Sequence, residues 1–202
     1  MKKMFFSLLA GFLCLSATAQ SPQNTQPRFF LPVDAGASFC TRDGVEAAFY
    51  MRACLEYRFD LQKGFFVTGE IDTRTHPYTS GGVILGNAAS GDIAYVDILL
   101  GPGWRFMLSD RFKVALALQG GVTNAAIKEV KPSNTSGKYN LDTVDKWYPA
   151  AKAGMMLEYY INPLFDLFLA AGFPAAKIPV ESASTDPFVL FPTVSVGFSM
   201  AL

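Results

Sequence analysis

The sequence predicts an all-β fold, an eight-stranded antiparallel up-and-down β-barrel. Three observations predict it. Eight segments of the 202-residue chain alternate apolar and polar residues with period two, the mark of strands whose two faces meet different surroundings. The connections between those segments are mostly short on one side and long on the other. The last segment keeps its alternation to Leu202, with Val196, Phe198, Met200 and Leu202 on one face and Ser195, Gly197, Ser199 and Ala201 on the other. Chain ends ordinarily fray. A wholly apolar face there makes sense if the strand closes a transmembrane barrel and that face meets lipid.

Ahead of the strands, Lys2 and Lys3, the apolar stretch 4–15 and the small residues Ala17 and Ala19 read as a signal peptide over 1–19. The stretch is short for a membrane span of about 20 residues. Residues 20–202 then form one barrel domain. Taking Lys2 and Lys3 from 17 basic residues leaves 15 against 17 acidic, a net of −2. A near-neutral chain without a basic run has no nucleic-acid footprint.

The strands are expected near 28–40, 46–59, 65–76, 93–107, 112–124, 147–160, 164–173 and 188–202. In the second, Ala47, Phe49, Met51, Ala53, Leu55, Tyr57 and Phe59 oppose Glu46, Ala48, Tyr50, Arg52, Cys54, Glu56 and Arg58. In the fifth, Phe112, Val114, Leu116, Leu118 and Val122 oppose Lys113, Ala115, Ala117, Gln119 and Thr123. The connections 60–64, 108–111 and 161–163 are tight turns of Asp, Asn, Gly or Pro. Those at 77–92, 125–146 and 174–187 are expected as long loops, and the first, 41–45, is short. This is the layout of periplasmic turns and extracellular loops.

A soluble lipocalin-like barrel shows the same alternation with its apolar face inward around a ligand. Two features oppose that rival. First, the polar face mixes small residues with charges of both signs, including Glu46, Asp72, Arg74, Lys113, Lys152 and Asp166. An eight-stranded barrel is just wide enough for side chains to fill. A lumen charge network of Asp34, Arg52, Glu56, Arg58, Glu70, Asp97, Arg105 and Glu158 is therefore expected. If residue 40 pairs with residue 46, Asp34 faces Arg52 inside the barrel. That pair reads as a plug that fixes register, or as a gate or proton path. Second, Phe29, Tyr57, Phe59, Phe65, Trp104, Phe106, Phe112, Tyr159 and Phe165 all fall at the end nearest the short turns or termini. That is an interfacial aromatic girdle. Phe39, Trp147, Phe173 and Phe188 sketch a second ring.

With these features the chain resembles the small eight-stranded outer-membrane barrels of Gram-negative bacteria, the OmpA/OmpX/OmpW-like group. Ser195-x-Gly197-x-x-Met200-x-Leu202 is similar to their C-terminal assembly signal, although that signal most often ends in Phe. The run 100–106, Leu-Gly-Pro-Gly-Trp-Arg-Phe, resembles their strands. The resemblance implies an outer-membrane location, lipid around the barrel and the barrel-assembly machinery as a partner during insertion.

Chemistry is sparsely signalled. His76 is the single histidine. It lies near Asp72, Thr75, Thr79 and Ser80, and an exposed position on the loop rim is expected for it. The His-x-Ser of the lipid A deacylase barrels is absent, and a serine nucleophile needs a base placed beside it. Cys40, Cys54 and His76 lack metal-ligand spacing. The two cysteines of the barrel are not expected to pair. About eight residues of strand, roughly 25–30 Å, separate them. No catalytic residue, metal or cofactor is assigned. The expected role is structural or interactive, through the longer loops of a monomer. One alternative is an OmpW-like conduit for small apolar molecules, with Phe66, Leu99, Met156, Phe168 and Phe191 on the lumen face. Others are the soluble lipocalin-like barrel and a lipid A-modifying enzyme.

Overall fold

A computed structural model describes residues 28–60, 63–84, 87–132, 139–177 and 188–202. The expected signal peptide lies outside them. The strands are β1 (Phe29–Ser38), β2 (Ala48–Arg58), β3 (Gly64–Ile84), β4 (Asn87–Met107), β5 (Phe112–Pro132), β6 (Tyr139–Asn162), β7 (Phe165–Lys177), β8 (Phe188–Leu190) and β9 (Thr193–Ala201). Each pairs antiparallel with its chain neighbour up to β7, and β7 pairs with both β8 and β9. The ladder β1–β9 closes the ring.

β8 and β9 are two pieces of one stave. Ala175 pairs with Leu190 before the break and Gly172 with Thr193 after it, in one unshifted register. The β7 ladder pauses because Pro174, which stands opposite Phe191, has no N–H to return, and Pro192 likewise has none to give toward β1. Even there, Phe191 N donates to Pro174 O at 2.9 Å and Phe39 N donates to Pro192 O at 2.8 Å. The barrel thus has eight staves, the fold class that the alternation predicts.

The expected loops at 77–92 and 125–146 are instead mostly strand. β3 and β4 stay paired out to Ile84 and Asn87, with a register shift between Ser80 and Val83. β5 and β6 stay paired out to Pro132 and Tyr139. β7 likewise runs to Lys177, into the third expected loop, of which 178–187 lie outside the described residues. Backbone pairing needs no apolar outer face once a hairpin leaves hydrocarbon, so the period-two signal fades while the strand continues. The barrel is consequently uneven: β3 to β6 have 21–24 residues, whereas β1, β2, β7 and β9 have 9–13. On the short side, the β1–β2 connection turns at Gly44, whose φ of 81° is in the left-handed region. Val45 then bridges to Tyr78 on the tall side.

Polarity is inverted relative to a soluble domain. On β2, Tyr50, Arg52, Cys54, Glu56 and Arg58 are buried in the lumen, while Phe49 (66% exposed) and Met51 face out. Leu100, Leu118, Leu169, Val194 and Val196 are likewise exposed. Such a continuous apolar exterior does not suit water. The lipocalin-like alternative needs Phe49, Met51 and Leu55 to line a cavity, and they do not.

Close packing inside the lumen depends on glycine, as the rungs at Gly103 and Gly197 show. Phe66 lies flat over its pairing partner Gly103, where a Cβ would fall 2.6 Å or less from three ring carbons. At Gly197, a Cβ would meet Asp34 and the ring of Phe168.

Candidate functional site: the lumen and its rims

Parity alone places the charged residues inside. The stagger of the strands decides which of them meet, and it sorts them into two clusters. The cluster nearer the short turns centres on Arg105. Its Nε donates to Glu158 Oε2 at 2.8 Å, and its Nη2 donates to Glu158 Oε1 at 2.7 Å and Glu56 Oε1 at 2.8 Å. Glu56 Oε1 also accepts from Arg58 Nε at 2.5 Å. Arg58 reaches on to Asp166 Oδ2 at 2.9 Å and Ser199 Oγ at 3.2 Å, with its guanidinium 3.6 Å from the ring centre of Phe30. Lys113 Nζ lies 3.8 Å from Asp166 Oδ1. Three cations meet three carboxylates.

The second cluster starts from Asp34 and Arg52, which occupy one rung of β1–β2 and pair at 2.5 Å. Arg52 Nη1 lies 3.4 Å from Glu70. Lys152 Nζ donates to Glu70 at 2.6 Å, Asp72 at 3.1 Å and the Tyr50 hydroxyl at 2.8 Å. Arg74 Nη1 bridges Asp72 at 2.8 Å and Asp97 at 2.7 Å, and the Thr123 hydroxyl donates to Asp97. Among the described residues no ion pair joins this cluster to the first. A void of about 10 Å³ lies between them, bordered by Arg52, Glu56, Glu70 and Met156, room for a single water. All eight sequence-predicted network residues lie in one cluster or the other. Lys152, Asp72, Arg74, Lys113 and Asp166 complete the clusters. Tyr50, Thr123 and Ser199 are neutral partners for which the sequence carries no signal beyond parity.

Above the second cluster the lumen turns apolar. Ile93, Tyr95, Ile127, Val189 and Phe191 form a buried core. Arg74 lies 4.9 Å from the ring centres of both Tyr95 and Phe191. Its Nε and Nη2 lack hydrogen-bond partners among the described residues, and the ring faces are what this cation meets instead.

His76 is not on an exposed rim. It is wholly buried at this level, enclosed by the continuation of β3–β4 and by the Val45–Tyr78 bridge. Its Nδ1 is 2.8 Å from Glu46 O and its Nε2 is 3.1 Å from Ser38 Oγ. With Nδ1–H donating to the carbonyl, Nε2 accepts from the Ser38 hydroxyl. The pair resembles a serine and its base, but both side chains are sealed, with Phe191 5.1 Å from the imidazole.

The conduit residues fare similarly. Phe66, Leu99, Met156, Phe168 and Phe191 all face the lumen and are buried. Phe66, Met156 and Phe168 pack with Ala115 and Ala170 into a second core. Charge pairs and apolar cores crowd the lumen, and the void between the two charge clusters is about 10 Å³. Among the described residues Cys40 and Cys54 are free thiols. Burial pushes the Cys40 thiol, which lies beyond the end of β1, above its ordinary pKa.

At the short-turn end, Phe29, Phe59, Phe65, Trp104, Phe106 and Phe112 are exposed on the outer face, with Tyr57, Tyr159 and Phe165 half-buried among them. Ring centres run 4.9 Å from Phe29 to Tyr57, 4.9 Å to Phe59 and 5.3 Å to Phe65. Phe112 and Tyr159 lie 5.2 Å apart, as do Phe165 and Phe198 at 5.6 Å. At the other end Phe39, Trp147, Phe173 and Phe188 are exposed. On β9, Ser195 points into the lumen and Met200 outward, Gly197 and Leu202 are half-buried, and Leu202 N donates to Phe29 O at 2.9 Å.

Neither a family model nor a curated protein sequence matches the chain. Solved structures do match it in fold. Neisserial surface protein A (NspA) superposes with a TM-score of 0.58 at 13% identity, covering 86% of this chain and 97% of its own. Ail, the attachment invasion locus protein of Yersinia pestis, in complex with the heparin analogue sucrose octasulfate, superposes with a TM-score of 0.51 at 17% identity, covering 86% and 99%. At such identities the likeness is one of architecture. The chain has the fold of the small eight-stranded outer-membrane barrels.

Proposed function

We propose that this protein is a non-enzymatic outer-membrane barrel that holds its two tall hairpins, β3–β4 and β5–β6, outside the cell as an interaction surface. One observation carries the reading. The polarity of the barrel is inside out, with thirteen charged side chains buried in a filled lumen and an apolar exterior edged by aromatic rings. A filled lumen supports a scaffold rather than a conduit, and the sealed Ser38–His76 pair supports a structural role rather than hydrolysis. The girdle aromatics sit at the inner interface. Ser195, Gly197, Met200 and Leu202 serve as the segment read by the barrel-assembly machinery. The inserted protein is a monomer.

The test is topological. In a background with Cys40 and Cys54 replaced by Ala, Asp145→Cys should react with a membrane-impermeant maleimide on intact cells. Lys63→Cys should react only after the envelope is opened. Labelling of Lys63→Cys on intact cells, or recovery of the protein in the soluble fraction, overturns the reading.

A further inference from the structure

The turn between β4 and β5 has an open outer edge beside the end of β6. Here β6 ends in a bulge, its register with β7 shifting between Tyr160 and Asn162. A bulge bends its strand and re-aims the neighbouring side chains, and Ile161 stands 46% exposed beside it. The result is an open cleft of about 330 Å³ lined by Asp110, Arg111, Tyr159, Tyr160 and Ile161. That volume lies within the range of small-ligand pockets, about 300–1,000 Å³.

The cleft is built rather than incidental. Ser109 Oγ accepts from Phe112 N at 3.1 Å, and Leu108 N and Ser109 N both donate to Phe112 O. Tyr160 N donates to Arg111 O at 2.7 Å, which ties the turn to the end of β6. Arg111 Nη1 donates to the Tyr159 hydroxyl at 3.0 Å. That bond uses one of five guanidinium N–H groups, and because the Tyr159 oxygen accepts it, the phenolic proton remains to be donated. Two directed donors, one cationic, therefore stand side by side, the arrangement that suits a phosphate. The carboxylate of Asp110 lines the same cleft and would repel a plain anion. It complements a ligand that carries an ammonium beside its phosphate. Tyr159 belongs to the aromatic girdle, so the cleft is continuous with the lipid-facing surface, and Ile161 gives it an apolar edge, while the Tyr160 ring faces the lumen side with Lys113 Nζ 4.6 Å from its centre.

We infer that this cleft binds the headgroup of a phosphoethanolamine lipid, with Arg111 and Tyr159 on the phosphate and Asp110 on the ammonium. The inference rests on the membrane reading above. It goes beyond that reading by assigning a headgroup-selective site to one turn. Phosphatidylcholine satisfies the phosphate donors but has no N–H for Asp110, and phosphatidylglycerol has no ammonium at all.

The full chain is to be inserted into bilayers of equal phosphatidylethanolamine, phosphatidylcholine and phosphatidylglycerol and then released for native mass spectrometry of the lipids it retains. Phosphatidylethanolamine should be retained about fivefold over either competitor, the effect of one exposed charge-assisted hydrogen bond. Asp110→Asn should bring phosphatidylethanolamine down to the level of phosphatidylcholine, and Arg111→Gln should reduce retention of all three. Both residues are on an exposed turn, and heat-modifiable gel migration verifies that each variant is folded. Equal retention of the three lipids by the inserted wild type, or an unchanged preference in Asp110→Asn, overturns the site alone. A chain that fails to insert overturns the membrane reading and the site with it.

Discussion

Arg105 on β4 and Glu158 on β6 grip each other through two parallel hydrogen bonds of 2.8 and 2.7 Å across a lumen where neither strand is the other's neighbour. Arg105 also holds Glu56 of β2. Three strands of the ring are thereby tied through one guanidinium. A fork that meets a carboxylate in two places fixes orientation as well as distance.

Replacing Arg105 by Ala should be among the most damaging single changes in the barrel. It leaves Glu56 and Glu158 buried without their shared cation, at a cost of about 3–5 kcal/mol. Equilibrium unfolding in urea from lipid vesicles measures it. Glu158→Gln in the same background should recover part of the loss, because one orphaned charge disappears. A double mutant no more stable than Arg105→Ala would show that the pair does not act as a unit.

Gly103 and Phe66 give a packing test. Gly103→Ala sets a methyl group against the face of the Phe66 ring, and overpacking of this kind costs about 1–3 kcal/mol. Phe66→Leu added to Gly103→Ala should restore part of that stability by vacating the contact. If Gly103→Ala unfolds at the wild-type urea concentration, the ring is not seated as described.

His76→Ala should behave as a structural lesion. It strips the partner from the buried Ser38 hydroxyl and from Glu46 O, a loss of about 1–3 kcal/mol. The mass profile of lipid A from cells carrying the variant should match the wild type. A changed profile with unchanged stability would assign His76 to chemistry.

The two thiols should differ in reactivity and should not join. Cys54 is buried in the lumen and Cys40 is half-buried at the end of the first hairpin. Maleimide should modify Cys40 slowly in the folded barrel and Cys54 only in denaturant. Oxidation should leave both as thiols in the monomer, seen as an unchanged non-reducing gel band.

Much of this molecule was readable from residue type and spacing. The alternation on β2, from Phe49 outward and Tyr50 inward to Tyr57 outward and Arg58 inward, is plain because both faces are uniform over the height of the bilayer. The rung that sets Asp34 against Arg52 follows from the short connection at 41–45. Other features were hidden for physical reasons. The upper parts of β3–β4 and β5–β6 leave the apolar slab, so Tyr78 pairing with Gly91 or Ala125 with Lys146 carries no hydrophobic period. Arg58 meeting Asp166, or Lys152 meeting Asp72, depends on the tilt and stagger of strands remote in sequence. Burial of His76 depends on those same tall hairpins and was hidden with them.

Arg58 belongs to β2, while both Asp166 of β7 and Ser199 of β9 lie beyond the seam where β1 meets β9. The seam is thus spanned from within as well as stitched by its own ladder. A sheet of the same strands not yet rolled shut leaves Arg58 its Glu56 partner on β2 but holds it apart from Asp166 and Ser199. Ring closure thus completes the charge cluster around Arg58, and reopening the barrel must undo those bonds together with the β1–β9 ladder.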